Sequence, residues 1–122
     1  MFNFLKSNSA SGVGKISGQD AVGQSQAGAL TIIDVREHGE VSKTGKAKGA
    51  LHIPLATLQF QTDSRNPDFH PELDTAKPVA IYCASGARSH MAAGIMLKQG
   101  FSEVSNLGNL GNWTSGGGEV VR

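Results

Sequence analysis

Positions 81–90 read IYCASGARSH, and Cys83 is the only cysteine in the 122 residues. It stands where an apolar run stops and a run of small residues begins. Ala84, Ser85, Gly86 and Ala87 are small enough for the backbone to curl around a bound group, and Gly86 is free to take the positive φ that a tight curl requires. A turn that leads into a helix aims several backbone N–H groups and the positive end of the helix dipole at one point. A thiol at that point is favoured as thiolate, and Arg88 adds a positive charge; such surroundings lower a cysteine pKa from ~8.5 to between about 3.5 and 7.5. Cys83 is therefore the candidate nucleophile, with Ala84, Ser85, Gly86, Ala87, Arg88 and Ser89 as the residues that hold its charge or a bound group. A free cysteine is more often a small buried hydrophobe. An inert position, however, has no use for a glycine, an arginine and two serines within six residues.

The elements that must carry this loop can be read on either side of it. VAIYC (79–83) and LTIIDV (30–35) are continuous apolar, β-branched runs that end in a polar or reactive residue, the pattern of strands covered on both faces. From Arg88 to Gln99, Met91, Ala92, Ile95 and Met96 give an apolar stripe of helical period, and Gly100 supplies the stop. EVSNL (103–107) reads as a further strand. Strand, helix, strand calls for a right-handed crossover and a parallel sheet, so the expected class is α/β in three layers, a central and mostly parallel sheet with helices on both faces. Ser17, three residues before Asp20, resembles the start of a capping box and marks a short helix through about Ala27. The stretch 61–78, rich in Pro and Asp, reads as a long surface connection with at most one helical turn. Residues 1–14 have no periodicity and read as a loose leader, with Phe2, Phe4 and Leu5 as its apolar contacts; a single domain is expected over 15–122.

Composition narrows the chemistry. Eleven basic and ten acidic residues, scattered, leave a net charge of +1 and no basic stripe to meet nucleic acid. No apolar run approaches the ~20 residues needed to span a bilayer, and MFNFLK lacks the order of a secretory signal. A lone cysteine is the expected state in a reducing compartment, which favours the cytoplasm. His38, His52, His70 and His90 show no paired ligand spacing, so no metal and no cofactor is expected.

CASGARS (83–89) resembles the active-site loop of the rhodanese-like sulfurtransferases, usually Cys-x-x-Gly-x-Arg-Ser. IIDVRE (32–37), GALHIP (49–54) and GFSEVSNL (100–107) resemble three further signatures of that family in the same order, and the resemblance spans about Ile16 to Trp113. It implies a rhodanese-like fold and transfer of sulfane sulfur. In that scheme Cys83 takes sulfur from a small donor such as thiosulfate, holds it as a persulfide, and passes it to a thiophilic acceptor: cyanide, a thiol or a sulfur-relay protein. A monomer is expected. The alternatives are a non-catalytic regulatory or interaction domain, which commonly lacks the cysteine, and a phosphatase or arsenate reductase of the same fold. Those phosphatases place five residues between cysteine and arginine; this chain has four.

Asp34 and Arg36 end the first strand, and the resemblance puts them close to the loop, in a supporting role. The plainer reading is an Asp capping a short helix and an Arg in solvent. Helix capping is the expected role of Ser85, and Glu37 reads as a solvated charge near a helix start. His90 follows the loop, but adjacent helical positions do not share a face, which argues against a Cys–His dyad. Trp113 reads as a packing residue. Where many family members have Gly-His-Ile-Pro, this chain has GKAK (45–48); Lys46 and Lys48 are expected to be solvated, the alternative being positive potential at the pocket mouth.

Overall fold

The computed structural model describes residues 12–122. The chain runs β1 (Gly14–Lys15), α1 (Gly18–Gln26), β2 (Thr31–Asp34), α2 (His38–Thr44), β3 (Lys46–Ala47), β4 (Leu51–His52), α3 (Leu55–Gln61), β5 (Val79–Cys83), α4 (Ala87–Lys98), β6 (Val104–Asn109), α5 (Leu110–Ser115) and β7 (Val120–Val121). Five strands form one sheet in the order β1-β6-β5-β2-β4, with every pairing parallel, and β3 and β7 form a small antiparallel ribbon. This is the expected three-layer α/β architecture.

The period of two along a strand explains why the two apolar runs show no alternation of their own. In β5, Val79, Ile81 and Cys83 face one buried cluster with Ala92, Ala93 and Met96 of α4 and Leu58 of α3. Ala80 and Tyr82 face the other, with Ala21 and Val22 of α1 and Trp113 of α5. Both faces need apolar residues, so the run is continuous. Each fully buried aliphatic side chain contributes roughly 1.5–3 kcal/mol relative to exposure. Parallel register sets Ile33 against Ile81 and Asp34 against Tyr82, so the carboxyl ends of β2 and β5 open on the same edge.

Ser17 caps α1 as expected, its side chain accepting from the Asp20 N–H at 3.0 Å. The first turn of that helix lies against the last turn of α5: a Cβ on Gly18 would fall on the Asn112 carbonyl, so only glycine permits the approach. α4 begins at Ala87, one residue before the sequence placed it, and Gly100 ends it in the left-handed region at φ +99°.

Elsewhere the structure departs from the expectation. Val13 is buried and Gly14 pairs with Ser105 on β6, so the fold takes in two residues assigned to the leader. Phe2, Phe4 and Leu5 lie outside the described residues. The stretch 62–78 has neither helix nor strand, but it is anchored rather than superficial. Leu73 plugs the core beside Phe69, and the His70 N–H returns to the Gln61 carbonyl. A helix start near Glu37 was expected, but the extent of α2 was not, and helices α3 and α5 were not foreseen. α2 buries no residue and so has no apolar stripe to read; a capping box between Glu37 and Glu40 sets its start.

Candidate active site

Cys83 is the last residue of β5, and residues 84–86 turn the chain from strand to helix at the carboxyl edge of the sheet. Gly86 takes φ +100° at the N-cap of α4. A Cβ there would meet nothing nearer than 3.7 Å, so the demand for glycine is conformational and not steric. The turn folds the Gly86 N–H back onto Cys83 Sγ at 3.0 Å, and the first turn of α4 adds the Ser89 N–H at 3.4 Å. Ser89 Oγ lies 3.4 Å from the same sulfur. Ala84, Ser85 and Ala87 are exposed around the mouth of the loop, while Cys83 is 1% exposed at its floor and Ser89 is fully buried beside it. Burial pushes the Cys83 thiol up, but the Ser89 side chain and the backbone N–H groups of Ser89, Gly86 and Ser85 outweigh it and bring the pKa down to about 7.

The expected roles shift in two places. Ser85 does not cap α4; the cap is Gly86, without a side-chain bond, and what Ser85 offers the sulfur is its backbone N–H. Arg88 does not turn its guanidinium to the sulfur either. It donates to both oxygens of Glu40, from Nη1 at 2.7 Å and Nη2 at 2.8 Å. That pair holds the Arg88 pKa above its ordinary value and, with the Glu37 N–H on the same carboxylate, brings Glu40 down to about 2. The charge at sulfur is thus met by N–H dipoles, and Arg88 ties the loop to α2.

Asp34 and Arg36 form a second pair, buried: Arg36 donates from Nε at 3.0 Å and from Nη2 at 2.7 Å. Nη1 of Arg36 reaches Thr44 Oγ1, and Nη2 donates also to the Gly45 carbonyl, at the end of α2. Asp34 also accepts from the Tyr82 hydroxyl at 2.7 Å, and that hydroxyl receives the Ala47 N–H. Burial first, and then the neighbouring Asp34 charge, raise the Tyr82 pKa. The plainer reading of a cap and a solvated arginine therefore fails. The pair's hydrogen bonds do not go to the loop itself; they fix Tyr82, the neighbour of Cys83, and the far end of the helix that carries Glu40.

Sequence reasoning missed Glu40 and Asn106. Asn106 donates from Nδ2 to the Gly86 carbonyl at 3.0 Å and accepts on Oδ1 from Ser89 Oγ at 2.7 Å and from the Gly108 N–H at 2.9 Å. The signals were present: a polar residue inside the apolar strand EVSNL, and acidic residues three apart in EHGE. Glu37 is exposed at the start of α2, as expected. His90 is exposed and only its backbone N–H turns inward, to the Gly86 carbonyl. His38 and His52 meet edge to face at 4.7 Å, with His52 Nε2 bonded to the Arg36 carbonyl. Trp113 is buried and its indole N–H is held by the Glu119 carbonyl. Lys46 binds the Ala50 carbonyl and Lys48 pairs with Glu119, so each ammonium has a local partner. Among the described residues no cluster of His, Cys, Asp or Glu could hold a metal ion, and no helix is long and apolar enough to cross a membrane.

Fold and loop together define a parallel α/β domain that presents a single acidified thiol in a cradle of backbone N–H groups. The family model for the Rhodanese-like domain matches residues 17–115, and the chain belongs to that family. It is 33% identical over 85 residues to the thiosulfate sulfurtransferase GlpE of Coxiella burnetii, covering 69% of this chain and 71% of that one. It is 38% identical over 86 residues to YrkF of Bacillus subtilis, covering 70% of this chain but only 42% of that longer protein. Among solved structures, RPA3614 of Rhodopseudomonas palustris superposes with a TM-score of 0.78 at 29% identity, over 91% of this chain and 86% of that one. That protein is described as of unknown function and a possible tyrosine phosphatase.

Proposed function

We propose that the domain moves sulfane sulfur through Cys83. The thiolate attacks the outer sulfur of thiosulfate; a bond forms from Cys83 Sγ to that sulfur, the sulfur–sulfur bond of the donor breaks, and sulfite leaves with the electron pair. An acceptor such as cyanide, a thiol or a relay protein then attacks the terminal sulfur, and the Cys83 thiolate departs. The carrying observation is the sulfur at the floor of the loop, 3.0 Å from one backbone N–H and 3.4 Å from another, with its pKa near 7 despite burial. The N–H groups of residues 84–88 would hold a persulfide anion in the same way. In its names the family neighbourhood agrees: GlpE is a thiosulfate sulfurtransferase and YrkF is named as a candidate sulfur carrier. The lone thiol suits a reducing, cytoplasmic setting.

Phosphoryl transfer fits less well. The loop has four residues between Cys83 and Arg88, and no acidic residue lies within it to protonate a leaving group. Intact-mass measurement after exposure to thiosulfate tests the proposal. A gain of about 32 Da, absent in Cys83→Ser and removed by cyanide with release of thiocyanate, is the expected result. No adduct from thiosulfate or from a persulfide donor would return the domain to the non-catalytic reading.

A further inference from the structure

Two groups compete for the Ser89 hydroxyl. Ser89 Oγ lies 3.4 Å from Cys83 Sγ and 2.7 Å from Asn106 Oδ1. The orientation of the Asn106 amide follows from its other partners. The Gly108 N–H, which only donates, meets Oδ1, and the Gly86 carbonyl, which only accepts, meets Nδ2. Oδ1 accepts and cannot donate, so the proton in the 2.7 Å bond is the one on Ser89. A serine hydroxyl has no second proton. The contact to sulfur is then made by a lone pair of Ser89, an arrangement that suits an S–H donor and opposes a thiolate. Ionisation of Cys83 places that lone pair against a negative charge where Ser89 has no access to water. Rotation about Cβ–Oγ resolves the conflict, because it swings the proton onto sulfur and leaves Oδ1 with the Gly108 N–H.

We propose that Ser89 is a two-position hydroxyl switch whose resting position is set by Asn106: its proton lies on Asn106 Oδ1 while Cys83 is a thiol, and turns onto sulfur when Cys83 is charged, as thiolate or as persulfide. Asn106 is a positioning residue that acts in two opposed ways. Nδ2 pins the carbonyl of Gly86, whose N–H reaches sulfur; Oδ1 competes with sulfur for the Ser89 proton. The proton lost by Cys83 goes to solvent, and no other group changes its protonation. The charged groups coupled to Cys83 are Arg88 of α4 and, through it, Glu40 of α2 and Glu37 at the N-cap of that helix; Asp34 of β2, Arg36 just after it and Tyr82 of β5 bond among themselves, and His90 of α4 is exposed. Strand β6 brings only the neutral Ser105, Asn106 and Asn109.

The switch rests on the ionisation of Cys83 that sulfur transfer also requires, and alkylation reads that ionisation without any sulfur donor. The experiment is the pH dependence of iodoacetamide alkylation in the wild type, Ser89→Ala, Asn106→Ala and the double variant. Ser89→Ala raises the midpoint, and the rise is larger by about one pH unit in the Asn106→Ala background, where nothing competes for the hydroxyl proton. The same rise in both backgrounds, or none in either, overturns the proposal. Asn106→Val, whose β-branched side chain suits a strand, takes the place of Asn106→Ala should the latter fail to fold. In the wild type, the Gly108 N–H and Asn106 side-chain amide resonances follow the Cys83 midpoint, and they lose that dependence in Ser89→Ala. Resonances flat through the midpoint, or unchanged in their dependence by Ser89→Ala, also overturn it. A protein with the switch intact that takes no sulfur from thiosulfate would sink the sulfur-transfer reading alone.

Discussion

Two arginine–carboxylate pairs flank Cys83, alike in geometry and opposite in setting. Arg36 and Asp34 have side chains 5% and 0% exposed, and every remaining arm is satisfied by Thr44, Gly45 or Tyr82. Arg88 and Glu40 are 32% and 35% exposed and bridge the loop helix to α2 across solvent. A buried pair cannot lose one member without stranding the other charge away from water, whereas a pair at the rim can trade its partner for water. The difference separates two jobs: Arg36 holds the sheet edge together, and Arg88 holds the shape of the loop.

The contrast is most directly broken at Arg36. Arg36→Met leaves the Asp34 carboxylate buried and unpaired, and is expected to cost about 3–5 kcal/mol in chemical denaturation, with melting lowered by at least about 12 °C. Replacing Asp34 by Leu in the same chain should return about 1–3 kcal/mol of that loss; a double variant as unstable as the sum of the singles would show that the pair is not the source of the effect. Arg88→Met is next. Its unfolding free energy should stay within about 1 kcal/mol of wild type while thiosulfate:cyanide turnover falls at least about tenfold, because the loop loses its tie to α2. A stability loss as large as that of Arg36→Met would erase the distinction.

Glu40→Gln is expected to be milder. Glutamine still serves the capping box, so α2 remains, but Arg88 is released toward an anionic donor, and the KM for thiosulfate should fall while turnover changes less than about tenfold. The pH profile sharpens the point. Arg88 brings Glu40 down to about 2, so the stability it contributes is complete above its ordinary value of 4.5 and is lost only as pH falls toward 2. Cys83 supplies the other limb: reactivity rises with pH through about 7, and the stability that its depressed pKa contributes is lost as pH falls through that value. An acid limb near pH 4 to 5 that Glu40→Gln abolishes would contradict this ordering. Smallest of all is Lys48→Ala, which breaks a pair 66% and 72% exposed and should change stability by less than about 0.5 kcal/mol in the same denaturation assay.

How much of this could be read beforehand follows the same line between local and distant. Cys83, Gly86 and Arg88 lie within six residues, and the chemistry of a strand–turn–helix anion cradle constrains them locally, so type and spacing were enough. The buried runs of β2 and β5 were legible because a sheet covered on both faces leaves no polar alternation. Of α2 only the start near Glu37 was legible, since the helix buries nothing and its amphipathic signal is empty. The direction of Arg88 was misread because its partner lies 48 residues away, and Asn106 meets Ser89 across 17. Those contacts exist only once the sheet order β6-β5-β2 places α2 and β6 on either side of the loop. Two-residue strands such as β3 and β4 are too short to show any period at all.

The burial of the lone thiol also decides how the domain meets oxidants. At 1% exposure, Cys83 is screened from bulky reagents. A sulfenic acid formed there finds no second cysteine among the 122 residues with which to close a disulfide. Repair by disulfide exchange would therefore draw on a thiol from outside these 122 residues.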